Sequence, residues 1–357
     1  MPRVAALDRL RGIALVGMLL HHLTAWLTGT DGRDVIPGWP GFVVTDVAAA
    51  AFFVAAGMSV ALLVASRRRR EMPPLRIAGL LLRRYGLLVP LGIGLRWVLG
   101  WNTDGFGVLE ALGVTVLLAA AVAAVLPARL EPLAAVGLLA AGMLVEKALY
   151  ERTDWLAAEL LAGKFPLFTY VGFVLVGIAA VDSRRHQSRG WALAAVGVGA
   201  VAFVWLLAAG LEPDRYPGDL RFVIPGLAGT AVAYAVAQRT WSKVAAPVDS
   251  MVRSAAAHTL GIFLAHYVLF EVADRLGPMG PVSPPVAVPA AVAVTLFLCA
   301  VAPRVPPLPW SPRTGWRPGA NQPPVPAQPT PTPGAPVCVE VSVEERRELV
   351  GAGAGPR

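Results

Sequence analysis

Cysteine and charged side chains are both scarce in this sequence. Its 357 residues include only two cysteines, Cys299 and Cys338, which excludes a disulfide framework and a cysteine zinc site. Charged residues make up 15% of the chain and hydrophobic residues 56%, with a mean hydropathy of +0.60, values that a soluble domain of this length would not ordinarily show. The composition therefore predicts a membrane protein that crosses the bilayer several times.

Two further absences limit the function. The sequence has no glycine-rich phosphate loop and no Rossmann pattern, which argues against nucleotide recognition of the soluble kind. The net charge of +8 comes from arginines in short clusters between apolar segments, without the interleaved aromatic residues of a nucleic-acid binder. We therefore predict no nucleic-acid partner, and we interpret the arginine clusters as topology signals that also contact membrane lipid.

Ten apolar runs of membrane-spanning length follow one another along the first 302 residues. A helix that crosses a bilayer needs about 17 to 25 such residues. The sequence predicts an all-α polytopic membrane domain over residues 1–302, with helices near 12–28, 43–65, 84–101, 108–126, 133–149, 165–181, 191–210, 221–237, 255–273 and 285–302. Arginine-rich segments such as Arg67 to Arg70 fall on one side of this succession, which predicts that both termini are cytoplasmic.

The two ends of the chain carry separate predictions. The first apolar run lacks a small-residue cleavage site, so we expect it to be retained as the first helix. Residues 303–357 are predicted to form a disordered cytoplasmic tail without a catalytic role, because residues 303–337 are rich in proline and cannot bury a core. The heavy use of alanine, valine, glycine and arginine is typical of a GC-rich bacterium, so the expected location is a bacterial cytoplasmic membrane.

The segment Leu7 to Leu27 contains the main candidate catalytic residues. Ten residues separate Arg11 from His22, which places the histidine about 16 Å above the arginine on one helix, near the middle of the bilayer. A neutral imidazole at that depth can act as a general base. His21 precedes His22 by about 100° around the helix, so the two side chains are expected on different faces.

Several other ionisable residues fall inside predicted helices and need partners. Asp46, one turn into the second helix, is a candidate partner for a histidine, or else a helix cap. Glu110 begins the fourth helix, and Arg96 of the third is its expected partner. His258 and His266, eight residues apart, are expected on roughly one face of the ninth helix.

A second pair of arginines suits a phosphate-bearing ligand. Arg83 and Arg84 lie at the cytoplasmic mouth of the third predicted helix, where a ligand such as coenzyme A would enter. No residue pattern predicts a metal site.

These residues resemble a known family. The run LDRLRGIALVGMLLHH is similar to the first-helix signature of the membrane-bound acyltransferases that include the acyltransferase-3 proteins and the heparan-alpha-glucosaminide N-acetyltransferases. Arg11 and His22 match the arginine and histidine of the acyltransferase-3 signature. The run TDVAAAAFFVAAGMSVAL resembles the second helix of the heparan-type proteins, with Asp46 at the matching aspartate. The heparan-type proteins carry a histidine in the first outer loop, where this chain reads RDVIPGW and has none.

The resemblance implies an enzyme that transfers an acetyl group from cytoplasmic acetyl-CoA to a hydroxyl or amine of an extracytoplasmic sugar or glycan. In that scheme His22 acts as general base or transient acyl carrier, with His21 as the second candidate. Asp46 orients His22, and the phosphates of acetyl-CoA are held by Arg11, Arg83 and Arg84. A homodimer is compatible with this expectation.

The residues leave two other functions open. The same intramembrane histidine and acidic residues could couple protons in a transporter, or in a flippase for lipid-linked precursors. Alternatively, the proline-rich tail could recruit partners to a membrane scaffold without catalytic activity.

Overall fold

A computed structural model describes most of the chain. It covers residues 5–30, 39–100, 107–149, 160–185, 220–239, 243–277 and 281–304, together with a few single positions. The chain divides into two units, Met1–Pro312 and Arg313–Arg357, and the second unit lies outside the described residues. The predicted tail from residue 305 onward and nearly all of the predicted helix 191–210 also fall outside them.

The described residues form helices and no strands, which confirms the prediction of an all-α protein. The helices are α1 (Ala5–Thr28), α2 (Trp39–Arg68), α3 (Pro74–Leu81), α4 (Leu88–Val98), α5 (Val108–Val125), α6 (Glu131–Leu149), α7 (Leu167–Arg185), α8 (Leu220–Arg239), α9 (Ala246–Ala257), α10 (Thr259–Leu276) and α11 (Pro284–Val301). Alanine, leucine and valine dominate them, and long apolar helices satisfy every backbone polar group internally, as a lipid environment requires.

The number of spans agrees only roughly with the ten predicted. In the described ranges, seven helices are long and apolar enough to cross a membrane, or eight if the bent pair α9 and α10 counts as one span. The apolar part of α7, Leu167–Val181, is shorter than these. Helices α3 and α4 together form one span, Pro74–Val98, interrupted by a π-helical turn at Leu82–Gly86.

The predicted continuous helix 255–273 is wrong at its beginning. Helices α9 and α10 meet at His258 with a bend of 85°. His258 leaves the helical conformation, with φ −112° and ψ 21°. The hydroxyl of Thr259 donates to the carbonyl oxygens of Ala255 at 3.1 Å and Ala256 at 2.9 Å. These bonds satisfy carbonyls that the break would otherwise leave without a partner, which allows the break in an apolar setting.

Contacts with α1 fix the directions of several other helices. Ser59 in the second half of α2 accepts a hydrogen bond from Arg11, and the carbonyl oxygen of Ala237 near the end of α8 accepts one from Arg9 at 3.2 Å. The second half of α2 and the end of α8 therefore lie beside the beginning of α1, and α2 runs antiparallel to α1.

Helix α10 instead runs parallel to α1. The ring of His266 lies against that of His22, and four residues further along both helices the ring of Phe270 stacks on that of Trp26. The chain before α11 pairs with the end of α1, because the backbone N–H of Val282 donates to the carbonyl oxygen of Leu27 at 2.8 Å.

Helix α7 has the same direction as α2, to which it packs closely. The rings of Phe53 and Tyr170 have centroids 4.5 Å apart, and one turn later Gly57 touches the backbone of Val174. The predicted span 191–210, which falls between α7 and α8 in the sequence, stays a prediction.

Candidate active site

The centre of the site is a pair of histidines from the two ends of the described chain. His22 lies six residues before the end of α1, and His266 lies in the middle of α10 with its side chain fully buried. Nδ1 of His22 is 3.1 Å from Nε2 of His266, which is a hydrogen bond. The two rings are stacked, with centroids 5.3 Å apart and 23° between their planes.

Aromatic side chains enclose this pair. The ring of Tyr267 lies 4.0 Å from that of His266, and the rings of Phe263 and Phe270 meet the same imidazole edge to face at 5.1 and 5.3 Å. Edge-to-face contacts fix the orientation of a ring as well as its position. The histidine pair is therefore held in one geometry inside an apolar surrounding.

His21 belongs to a different side of α1. Its side chain is half-buried, and its ring centroid lies 5.6 Å from that of His22. Its backbone carbonyl accepts a hydrogen bond from the hydroxyl of Thr24 at 2.9 Å. The structure thus agrees with the expectation that the two adjacent histidines point in different directions.

Charged residues gather at the beginning of α1, about 16 Å from His22 along the helix. Arg11 donates to the hydroxyl of Ser59 on α2, and its guanidinium lies 3.9 Å from the carboxylate of Asp8. Arg9 donates to the carboxylate of Asp249 on α9 at 3.0 Å. Arg253 pairs with the same carboxylate at 2.9 Å. These contacts bind α1 to both α2 and α9.

The predicted pair of Glu110 and Arg96 is confirmed. Nε and Nη2 of Arg96 approach the same oxygen, Oε1 of Glu110, at 2.9 and 2.8 Å. Glu110 is 1% exposed, and the backbones of Gly92 and Gly107 lie directly beside its carboxylate. Glu110 also interacts electrostatically with Tyr267 of the histidine site.

Comparison with known proteins assigns the first part of the chain to a family. Residues 3–210 match the family described as heparan-alpha-glucosaminide N-acetyltransferase, catalytic. The chain belongs to this family. A search of curated proteins found no match to the chain.

Membership of the heparan-alpha-glucosaminide N-acetyltransferase family confirms the resemblance drawn from the first two helices. It supports a multi-pass membrane protein with an acetyltransferase-like function. The match includes Arg11 and His22 but ends before α8. Asp249 and His266, which contact α1, therefore lie beyond it.

The three arginines predicted to bind phosphates do not share one set of neighbours. Arg11 packs against α2, whereas Arg83 and Arg84 are exposed on the π-helical turn. The guanidinium of Arg84 lies 5.6 Å from the ring centroid of Tyr85, a cation–π contact. The predicted binding of phosphates by Arg83 and Arg84 stays a prediction.

Two predicted relationships are not seen in the described residues. Asp46 lies in the second turn of α2, but its side chain is outside the described residues, so its predicted pairing with a histidine stays a prediction. The expectation that His258 and His266 share one helix face is wrong, because the chain bends by 85° at His258. Nδ1 of His258 instead lies 3.0 Å from the carbonyl oxygen of Ser254.

The sequence interpretation missed Ser59 and Asp249. Ser59 is an isolated hydroxyl in an alanine-rich run, and Asp249 follows a proline in a polar segment between two predicted spans. Neither position has a local pattern that points to a partner on α1. Within the described ranges, no group of three or more histidine, cysteine or acidic side chains is arranged to hold a metal ion.

Proposed function

We propose that this protein transfers an acetyl group from cytoplasmic acetyl-CoA to a hydroxyl or amine of an extracytoplasmic sugar or glycan. The observation that carries the proposal is the half-buried His22, hydrogen-bonded to the fully buried His266, on a helix that belongs to the matched acetyltransferase region. An ionisable side chain inside a membrane domain is costly, and it is kept there chiefly for function.

The proposed reaction is a single acyl transfer. Nε2 of His22 accepts the proton of the acceptor hydroxyl or amine while the acceptor oxygen or nitrogen forms a bond to the acetyl carbonyl carbon. The carbon–sulfur bond of acetyl-CoA then breaks, and the departing thiolate takes the proton from the imidazolium. The products are the acetylated acceptor and coenzyme A, and His22 returns to its neutral form.

Substrate binding in this proposal uses the positive charges of the π-helical turn and of the beginning of α1. Arg83 and Arg84, which are exposed, contact the phosphates of acetyl-CoA, and Arg11 attracts the same negative charge from the beginning of α1. Asp46 stabilises the charged form of His22 in this proposal. The acceptor reaches His22 from the other end of α1, six residues away.

A transfer assay in proteoliposomes tests the proposal. The donor is acetyl-CoA labelled in the acetyl group, and glucosamine and methyl glucoside serve as the amine and hydroxyl acceptors. His22→Ala should lower the rate of coenzyme A release about 10²- to 10⁴-fold, the usual contribution of a general base. His258→Gln is the matched control, since its imidazole contacts only its own helix in the described hydrogen bonds. His21→Ala shows whether the adjacent histidine contributes.

Two further measurements make the result decisive. If the wild-type protein neither binds nor consumes acetyl-CoA, the acetyltransferase proposal is wrong and proton-coupled transport becomes the function to assay. Rapid denaturation in SDS at neutral pH during turnover distinguishes direct transfer from a covalent route, because an acetylated His22 would retain the label on the protein, whereas acid would hydrolyse it.

A further inference from the structure

We infer that His266 is the positioning residue for His22. His266 holds the proton of His22 on Nδ1 and so leaves the lone pair of His22 on Nε2. This inference rests on the proposed role of His22 as the base. It assigns to α10, beyond the matched region 3–210, a part in the chemistry that the first helix carries out.

The contact between the two rings requires one shared proton. Nδ1 of His22 and Nε2 of His266 are 3.1 Å apart, so one of them carries the proton and the other accepts it. A neutral imidazole has one N–H and one acceptor nitrogen. The protonation of His266 at its other nitrogen therefore determines the arrangement of the whole pair.

The surroundings of His266 favour a proton on its Nδ1. This nitrogen is buried and makes no hydrogen bond of ordinary geometry with the described residues. A helical side chain lies over the turn that precedes it, and for His266 that turn carries the backbone carbonyls of Ile262 and Phe263. Carbonyl oxygens only accept, so they stabilise an N–H at Nδ1 and leave Nε2 as the acceptor for His22.

The resulting arrangement suits a base inside a membrane domain. When His22 takes a proton, its Nδ1–H becomes a charge-assisted donor to the neutral Nε2 of His266, and that bond strengthens. An aspartate in the place of His266 would add a buried negative charge among Phe263, Tyr267 and Phe270, at a large desolvation cost. A neutral partner orients His22 without this cost.

Two substitutions of His266 distinguish the role of its hydrogen-bond acceptor from the role of its side-chain volume. His266→Gln places an amide oxygen near the original position of Nε2, whereas His266→Leu fills the space without an acceptor. We expect His266→Leu to lower kcat for acetyl transfer about 10- to 100-fold with the KM for acetyl-CoA changed less than about twofold, and His266→Gln to recover most of kcat. A folded His266→Leu protein with wild-type kcat, or a folded His266→Gln protein as impaired as His266→Leu, would overturn the inference.

A spectroscopic measurement tests the tautomer without turnover. In protein labelled with ¹⁵N at histidine, the nitrogens of His22 are assigned from the signals lost in His22→Gln. The wild type should show His22 protonated at Nδ1, and His266→Leu should lose this preference. Protonation at Nε2 in the wild type overturns the inference. Because this experiment needs no substrate, absent acetyl transfer refutes the proposed function while the tautomer still decides the role of His266.

Discussion

The buried pair of Arg96 and Glu110 gives the sharpest prediction about stability. Two of the three guanidinium nitrogens bind one carboxylate oxygen, at 2.9 and 2.8 Å, and the two side chains are only 13% and 2% exposed. Two hydrogen bonds between charged groups contribute about 1.5–3 kcal/mol each. Removal of one partner also leaves a buried charge, so Arg96→Met or Glu110→Gln alone should lower the free energy of unfolding by about 3–5 kcal/mol.

The double variant Arg96→Met with Glu110→Gln should regain most of the free energy of unfolding that each single variant loses. With both charges removed, no unpaired charge is buried, and the free energy of unfolding should return to within about 1–2 kcal/mol of wild type. The measurement is SDS-induced unfolding in mixed micelles, followed by tryptophan fluorescence, over a full double-mutant cycle.

The exposed pair of Arg275 and Glu271 supplies the control. It is as short, at 2.6 Å, but Arg275 is 71% exposed, so Arg275→Met and Glu271→Gln should each cost less than about 1 kcal/mol. The opposite result would be that the Arg96 and Glu110 substitutions have additive effects on the free energy of unfolding, each as small as in this control. Water would then screen the pair, and the reasoning from burial would be refuted.

Two further outcomes follow from the geometry. Gly12→Ala should lower the free energy of unfolding by about 1–3 kcal/mol, because a Cβ there would overlap the carbonyl oxygen of Val252. Gly79→Ala is the control in the same SDS assay. It should not be destabilising, since nothing lies near its Cβ position. The double substitution Arg83→Gln and Arg84→Gln should raise the KM for acetyl-CoA about tenfold with little change in kcat, and a lowered kcat at unchanged KM would contradict a role in phosphate binding.

Contacts between neighbouring helices could be predicted from the sequence. Arg96 and Glu110 lie fourteen residues apart, on either side of a short connection between two apolar runs. Two helices joined in this way pack against each other, which brings their adjoining ends together. An acid and a base at those ends, both inside apolar segments, then have each other as the obvious partners.

Contacts between distant helices could not be predicted. His22 and His266 are 244 residues apart, and hydropathy gives the succession of spans but not which spans are neighbours in the bundle. The bend at His258 could not be predicted either, because an apolar run predicts one continuous helix whether or not its backbone is interrupted. Hydrogen bonds from the side chain of Thr259 to the last carbonyls of α9 stabilise the interruption. Such bonds leave no periodic pattern in the sequence from which they could be predicted.

The position of His22 depends on the part of the chain that lies beyond the matched family region. Along its whole length α1 is held by that part, through the contacts Arg9 to Asp249, Gly12 to Val252, His22 to His266, Trp26 to Phe270 and Leu27 to Val282. Several of these contacts involve backbone atoms or stacked rings, which tolerate little sliding between helices. The 3.1 Å contact at His22 is therefore set by the register of α9, α10 and the segment before α11 against α1. His22 lies on the first helix inside the matched region, and the last third of the described chain determines where its ring points.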